Sequence, residues 1–229
     1  MLTNKKDAPA PEFAPLGEAV QLPTRVYDAL LNGIIKGDLA PGTQLKADQI
    51  AQQLGVSSTP VRDALSHLVK DGLVHKLPYQ GWFVCRFQES EIRDLYEMRA
   101  DLECFAVRHA CKKVTPEEIA QLRMVQADGE AALARRDTEA YRQYNQRFHT
   151  EILRAARNSQ LPAVFGQISL RVQMLIARTI RSVGQPSRAV KEHRNLIELI
   201  AIHDAPAAET LMEHHILGAL QEILGHGGY

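Results

Sequence analysis

Three stretches of this chain put polar, metal-competent side chains on stripes that are otherwise apolar. Asn145 and His149 stand four residues apart, in line with Tyr141, Phe148, Ile152 and Ala156 at helical spacing. His193 falls with Val190, Ile197 and Ile200. His214 and His215 follow Leu211 and precede Leu217, Leu220 and Leu224, and periodicity does not choose between them. Imidazoles from three directions with one oxygen suit a divalent ion such as Zn²⁺, Ni²⁺ or Mn²⁺, with positions left for water or a ligand. The plain alternative is a set of structural core histidines. A metal with an open position could also activate water for hydrolysis, although no carboxylate stands beside the cluster as an evident general base.

A second pattern is Arg99 and Glu103, an i, i+4 pair in register with Ile92, Leu95, Ala106 and His109. On a solvated face such a pair contributes about 0.3 to 0.5 kcal/mol. Turned inward, the guanidinium fork of Arg99 suits a carboxylate presented to the ion. Arg171 and Arg178, one helix away, are further candidates for that role, so the expected ligand-binding set is Arg99, Glu103 and Arg171.

These side chains need long helices to hold them. Periodicity and breaks predict helices from Gln88 or Ser90 to Lys113, Pro116 to Arg136, Thr138 to Arg157, Leu161 to Val183, Ser187 to His203 and Pro206 to Leu224. Gly184-Gln185-Pro186 and Asp204-Ala205-Pro206 punctuate the last two. Six helices with almost no strand signal imply an antiparallel bundle over residues 87–229.

Residues 22–86 read differently. Thr24 to Lys36 predicts a helix capped by Thr24 with a Val26, Ala29, Leu30 and Ile34 stripe. Next, Ile50, Ala51 and Leu54 form one short stripe and Val61, Ala64, Leu65 and Leu68 another. Between them Gly55 can take a positive φ, Val56 can plug the corner, and Ser57 to Thr59 offer capping hydroxyls ahead of Pro60. This is a helix-turn-helix, whose second helix can enter a major groove with its N-terminal residues foremost. The runs Leu73 to Leu77 and Trp82 to Cys85 flank the turn Pro78-Tyr79-Gln80-Gly81, a hairpin wing whose glycine can approach a phosphate. The fold expected is therefore dominated by α-helix: a winged helix-turn-helix with a small hairpin, then a helical bundle. Residues 1–21 read as a mobile tail.

Composition excludes little by itself. Lys plus Arg equals Asp plus Glu at 27 each, so no global charge calls for nucleic acid or membrane. The reader segment carries only a small basic excess, so tight DNA binding calls for two copies or a concentrated face. The 3 cysteines lack C-x-x-C spacing, which suits a reducing compartment. No apolar run approaches membrane-spanning length and no signal-peptide core is present, so a cytoplasmic protein is expected.

Two motif chains carry a resemblance. Ile35-x-Gly37-x-Leu39-x-Pro41-Gly42-x-x-Leu45, Leu54-Gly55-Val56-Ser57-x-Thr59-Pro60-Val61-Arg62-x-Ala64-Leu65-x-x-Leu68, Asp71-Gly72-Leu73-Val74 and Gly81-x-Phe83-Val84 resemble the winged helix of GntR-family bacterial transcription regulators. Leu95-x-x-x-Arg99-x-x-Leu102-Glu103, Asn145-x-x-Phe148-His149-x-x-Ile152, Glu192-His193-x-x-Leu196 and His215-Ile216 resemble the FCD effector domain of the FadR subfamily, in its six-helix, VanR-like form. The resemblance implies a dimeric regulator, not an enzyme, that binds operator DNA and responds to a small organic acid. It also implies that Asn145, His149, His193 and His215 hold the metal. Aspartate is commoner at the first of these positions, so Asn145 removes a negative charge. The DNA-facing residues would be Lys46, Ser57, Ser58, Thr59, Arg62, Gln80 and Gly81, with Ser58 standing where the family commonly has arginine.

Overall fold

The first helix, α1 (Gln21–Lys36), starts earlier than a Thr24 cap predicts, because Pro23 sits in its first turn, where a missing N–H costs nothing. The computed structural model describes residues 21–183 and 187–226. The tail expected over 1–21 thus lies outside the described residues apart from Gln21, as does the Gly184-Gln185-Pro186 break.

Helices α2 (Ala47–Leu54) and α3 (Ser58–Lys70) meet at Gly55, which takes φ +66°, while the Val56 N–H closes onto Ala51 O at 3.0 Å. A side chain on Gly55 would strain this left-handed turn. Val61, Ala64, Leu65 and Leu68 are buried as expected. Leu54 is not: it is 43% exposed, since Ala47 and Ala51 carry the inward face of so short a helix. Ser57 occupies the cap position of α3 in extended backbone but makes no side-chain cap bond. The Ser58 hydroxyl instead donates to Asp48 Oδ1 at 2.6 Å.

The hairpin pairs β2 (Val74–Leu77) with β3 (Gly81–Val84), and a strand too short to be legible in sequence, β1 (Gln44–Leu45), adds to it in the order β1-β3-β2, all antiparallel. Ile34, Leu65, Leu68, Leu73 and Val84 are fully buried between this sheet and α1 to α3.

The six bundle helices are α4 (Glu89–Lys113), α5 (Pro116–Arg135), α6 (Thr138–Ala155), α7 (Leu161–Val183), α8 (Ser187–Ala201) and α9 (Ala205–His226). Their starts have visible causes. Gln88 and Glu91 form a capping box for α4, Thr115 and Glu118 form another ahead of Pro116, and Asp137 accepts from the Ala140 N–H at 3.0 Å. Helix α4 lies along α9 and α6, while α5 packs on α6 and α8. Tyr96, Tyr141, Phe148, Ile152 and Leu175 fill the centre.

The two cores touch. Met174 and Ala177 of α7 are buried in the winged-helix core, and Phe87 packs against both cores. No helix among the described residues is long and apolar enough to cross a membrane.

Candidate metal centre and nucleic-acid interface

Helices α6, α8 and α9 bring His149, His193 and His215 together, each with one ring nitrogen within 4.8 Å of the others. All three rings are buried, at 4%, 0% and 3% exposure. His214, the rival in sequence, points outward with its side chain 69% exposed.

The surrounding hydrogen bonds fix which nitrogen of each ring carries the proton. His149 Nδ1 meets the Glu103 carboxylate, and its Nε2 receives Arg99 Nη2 at 3.2 Å. A guanidinium only donates, so Nε2 holds the lone pair. His215 Nδ1 donates to Glu192 Oε2 at 2.8 Å. His193 is set through Gln126 and Tyr144. The Gln126 amide nitrogen faces two acceptors, Val190 O at 3.0 Å and Glu130 Oε1 at 2.9 Å, so its oxygen is the atom that takes the Tyr144 hydroxyl proton at 2.9 Å. The Tyr144 oxygen is then free to accept His193 Nδ1–H at 2.6 Å.

All three Nε2 atoms therefore carry lone pairs, and those of His193 and His215 lie 3.1 Å apart with no proton between them. Two facing acceptors repel unless a cation sits between them. Nitrogens bonded to one Zn²⁺-like ion at about 2.0 to 2.1 Å stand about 3 Å apart, so the donor set fits such an ion. Asn145 lies one turn ahead of His149, is 8% exposed, and lines the cavity that His149 also lines.

Electrostatics keep the rings ready for metal. Burial lowers the His149 pKa to about 4, and burial with neighbouring imidazoles holds His193 well below the ordinary histidine value. Burial lowers His215 as well. Burial alone would raise Glu103, but His149 and Arg99 bring it down to about 2. Two anions, Glu103 and Glu192, thus hold imidazole N–H groups from outside the donor set, an arrangement that raises ligand basicity.

Glu103 and Glu192 do adjoin the cluster, each taken up by an imidazole N–H, where no carboxylate was expected as an evident general base. Glu192 stands in the Glu192-His193-x-x-Leu196 motif without an assigned role, and sequence reasoning missed Tyr144 and Gln126. Gln126 had a signal: it shares an apolar stripe with Leu122, Val125 and Gly129 on α5. Gly129 matters because a Cβ there would come within 2.4 Å of the Tyr144 ring.

Arg99 and Glu103 form a buried pair, at 2% and 0% exposure, joined at 2.7 Å. Arg99 also lines a cavity of about 660 Å³ between α6 and α7, within the usual range for ligand pockets. Four arginines and no aspartate or glutamate line it: Arg99, Arg142, Arg154 and Arg157. Arg171 is elsewhere. It lies over Gly72 of the winged helix and donates to Gln167 O, on the face of α7 turned from this cavity.

On the winged helix, Lys46, Arg62, Gln80 and Gly81 converge on one open groove between α2, α3 and the wing. Arg62 is 56% exposed and 3.6 Å from Asp48, which also takes the Ser58 hydroxyl. Ser57 and Thr59 are exposed at the start of α3, outside that groove. Lys76 lies 5.0 Å over the Trp82 ring and stiffens the wing.

Comparison with known proteins agrees with both halves. The FCD domain pattern matches residues 94–218, and that of bacterial regulatory proteins of the gntR family matches residues 22–84. An HTH-type transcriptional regulator of Agrobacterium vitis is 34% identical over 146 residues, 61% of this chain and 85% of its own. The Nta operon transcriptional regulator of Aminobacter aminovorans is 29% identical over 80% of this chain and 86% of its own. The HTH-type transcriptional repressor RspR of Escherichia coli is 24% identical over 87% of this chain and 86% of its own. Among solved structures, E. coli McbR/YncC has the same fold, with a TM-score of 0.76 over 89% of this chain and 97% of that one at 22% identity.

Proposed function

The chain belongs to the GntR family of bacterial regulatory proteins and carries an FCD domain, and on that premise we propose a regulator that binds double-stranded operator DNA as a homodimer under the control of a small organic acid and a divalent ion. The reader is residues 22–86 and the receptor residues 87–229. The exposed start of α3 enters a major groove, where Arg62 offers a forked donor to a base edge or phosphate. Lys46, Gln80 and Gly81 follow the backbone alongside, and Ser57, Ser58 and Thr59 set the register. With so small a basic excess, one copy binds weakly, and two half-sites about one helical turn apart supply the missing affinity.

In the receptor, His149, His193 and His215 with the Asn145 oxygen hold Zn²⁺, Ni²⁺ or Mn²⁺, which supplies open coordination positions for a carboxylate. Arg99 turns its Nη2 from His149 to the acid, exchanging a neutral acceptor for an anionic one. Glu103 and Glu192 are each engaged by an imidazole N–H, which leaves neither as a free base for hydrolysis and favours binding over an enzymatic reading.

The observation that carries this reading is α7. Val172, Gln173 and Ile176 line the ligand cavity, while Met174 and Ala177, on another face of the same rod, are buried in the reader's core. A ligand that favours one setting of α7 favours one setting of the reader, because packed interiors move as rigid pieces.

The test is a thermal-shift screen of small carboxylates with and without Zn²⁺ on the full chain. Titration of operator DNA selected from a random library then follows, with the best acid present or absent. The acid should change operator affinity about tenfold. Met174→Ala should bind acid yet lose that change, and Arg62→Ala should weaken DNA binding alone. An acid that binds and leaves operator affinity untouched overturns the coupling; a chain that selects no DNA overturns the reader.

A further inference from the structure

The cavity between α6 and α7 is a slot. Its lining side chains run from Arg142 to Arg154 on α6, with Arg157 just past that helix, and from Pro162 to Ile176 on α7. At about 1.5 Å per residue each wall is about 20 Å long. The cavity between these walls has a volume of about 660 Å³. An acid of two or three carbons would leave most of this space empty.

The chemistry varies along the slot. His149, Asn145 and Arg99 lie partway down its length. From there toward the α6–α7 turn Leu153, Phe165 and Pro162 supply apolar wall beside the polar Thr150, Asn158, Ser159 and Ser169, and Arg154 and Arg157 lie at that end. In the other direction it ends at Arg142, only 15% exposed and held at 2.6 Å by Glu139. The two arginines near the turn are more loosely occupied. Arg154 is 75% exposed with its carboxylate partner Glu151 at 3.5 Å, and Arg157 is 49% exposed with Glu118 at 3.2 Å. Exposed pairs of this kind are weak and exchange readily for a better anion.

From this arrangement we infer that the ligand is an elongated dicarboxylate, with one head at Arg99 and His149, an apolar body against Leu153 and Phe165, and the second head at Arg154 and Arg157. From His149 to Arg154 the helix rises about 8 Å, a span within the length of suberate. The inference rests on the receptor reading above, since it takes the first head to be held at the histidine cluster.

Calorimetric titration of the full, Zn²⁺-supplemented chain with suberate, octanoate and acetate tests it. Suberate and octanoate share a length and differ in one head. Suberate should bind about tenfold more tightly than octanoate. In the double variant Arg154→Gln, Arg157→Gln, suberate should fall to the octanoate value while octanoate stays unchanged. Octanoate binding as well as suberate, a double variant that keeps the preference, or one that loses both acids overturns the second head. If acetate binds while suberate gains nothing over octanoate, only this inference fails. If no acid binds at all, the receptor reading fails with it.

Discussion

The two halves of this molecule solve opposite problems with their interiors. Around Ile34, Leu65, Leu68, Leu73 and Val84 the reader buries only apolar side chains, whereas every buried polar or charged residue among those described lies in the bundle: Arg99, Glu103, Gln126, Asn145, His149, Glu192, His193 and His215. An apolar interior stabilises one shape and responds to nothing, since it presents no group whose charge or partner can change. A polar interior costs desolvation unless every donor and acceptor is matched, and it can be reset by a proton, an ion or an anion. The contrast teaches that the receptor is the conditional half and the reader the constant one.

Acid gives the largest expected departure between them. The imidazoles of His149, His193 and His215 are all held below their ordinary value of about 6.5, His149 at about 4. As pH falls through that window the unfolded chain takes up protons that the native bundle refuses. Stability therefore drops as pH falls below about 6.5, and the contribution of these imidazoles is fully present only above that value. Trp82, the one tryptophan of the chain, sits in the wing, so its fluorescence follows the reader, while far-ultraviolet circular dichroism follows mainly the six longer bundle helices, with a smaller share from α1 to α3. In metal-free protein the dichroism should collapse at a higher pH than the Trp82 signal. Coincident transitions would show that α7 welds both halves into one cooperative unit.

Next in size is Leu68→Ala, which removes a fully buried side chain from the reader and should cost about 2 to 5 kcal/mol in urea unfolding followed at Trp82. Zn²⁺ affinity should not change. A fall in both would break the division into constant and conditional halves.

Smaller again is Tyr144→Phe, which deletes the acceptor that fixes the His193 proton. Zn²⁺ affinity, read by competition with a chromophoric chelator, should weaken about 10- to 100-fold. Gly129→Ala should act in the same direction by displacing the Tyr144 ring. Unchanged affinity in Tyr144→Phe would show that the hydroxyl does not orient the ring.

Least of all should come from His214→Ala, whose side chain is exposed and stays within about twofold of the parent for Zn²⁺. A loss comparable to that of a buried ligand would move the donor set by one residue.

Much of the architecture is local and could be read from residue order alone. The corner at Gly55, the six bundle helices and the inward stripes bearing His149 and His193 follow from 3.6-residue periodicity and from chain breakers, which act over a few residues and are written in consecutive letters. The three-dimensional packing decided the rest. It chose His215 over its neighbour, gave each imidazole a separate Nδ1 acceptor, turned Arg171 to Gly72 instead of the cavity, and added β1 to the wing. It also made α7 common to both cores. Partners such as His149 and Glu103, or Tyr144 and His193, lie many turns of chain apart. No period in a single sequence encodes such a meeting; it comes from which faces bury most apolar area together and which polar groups must then be matched.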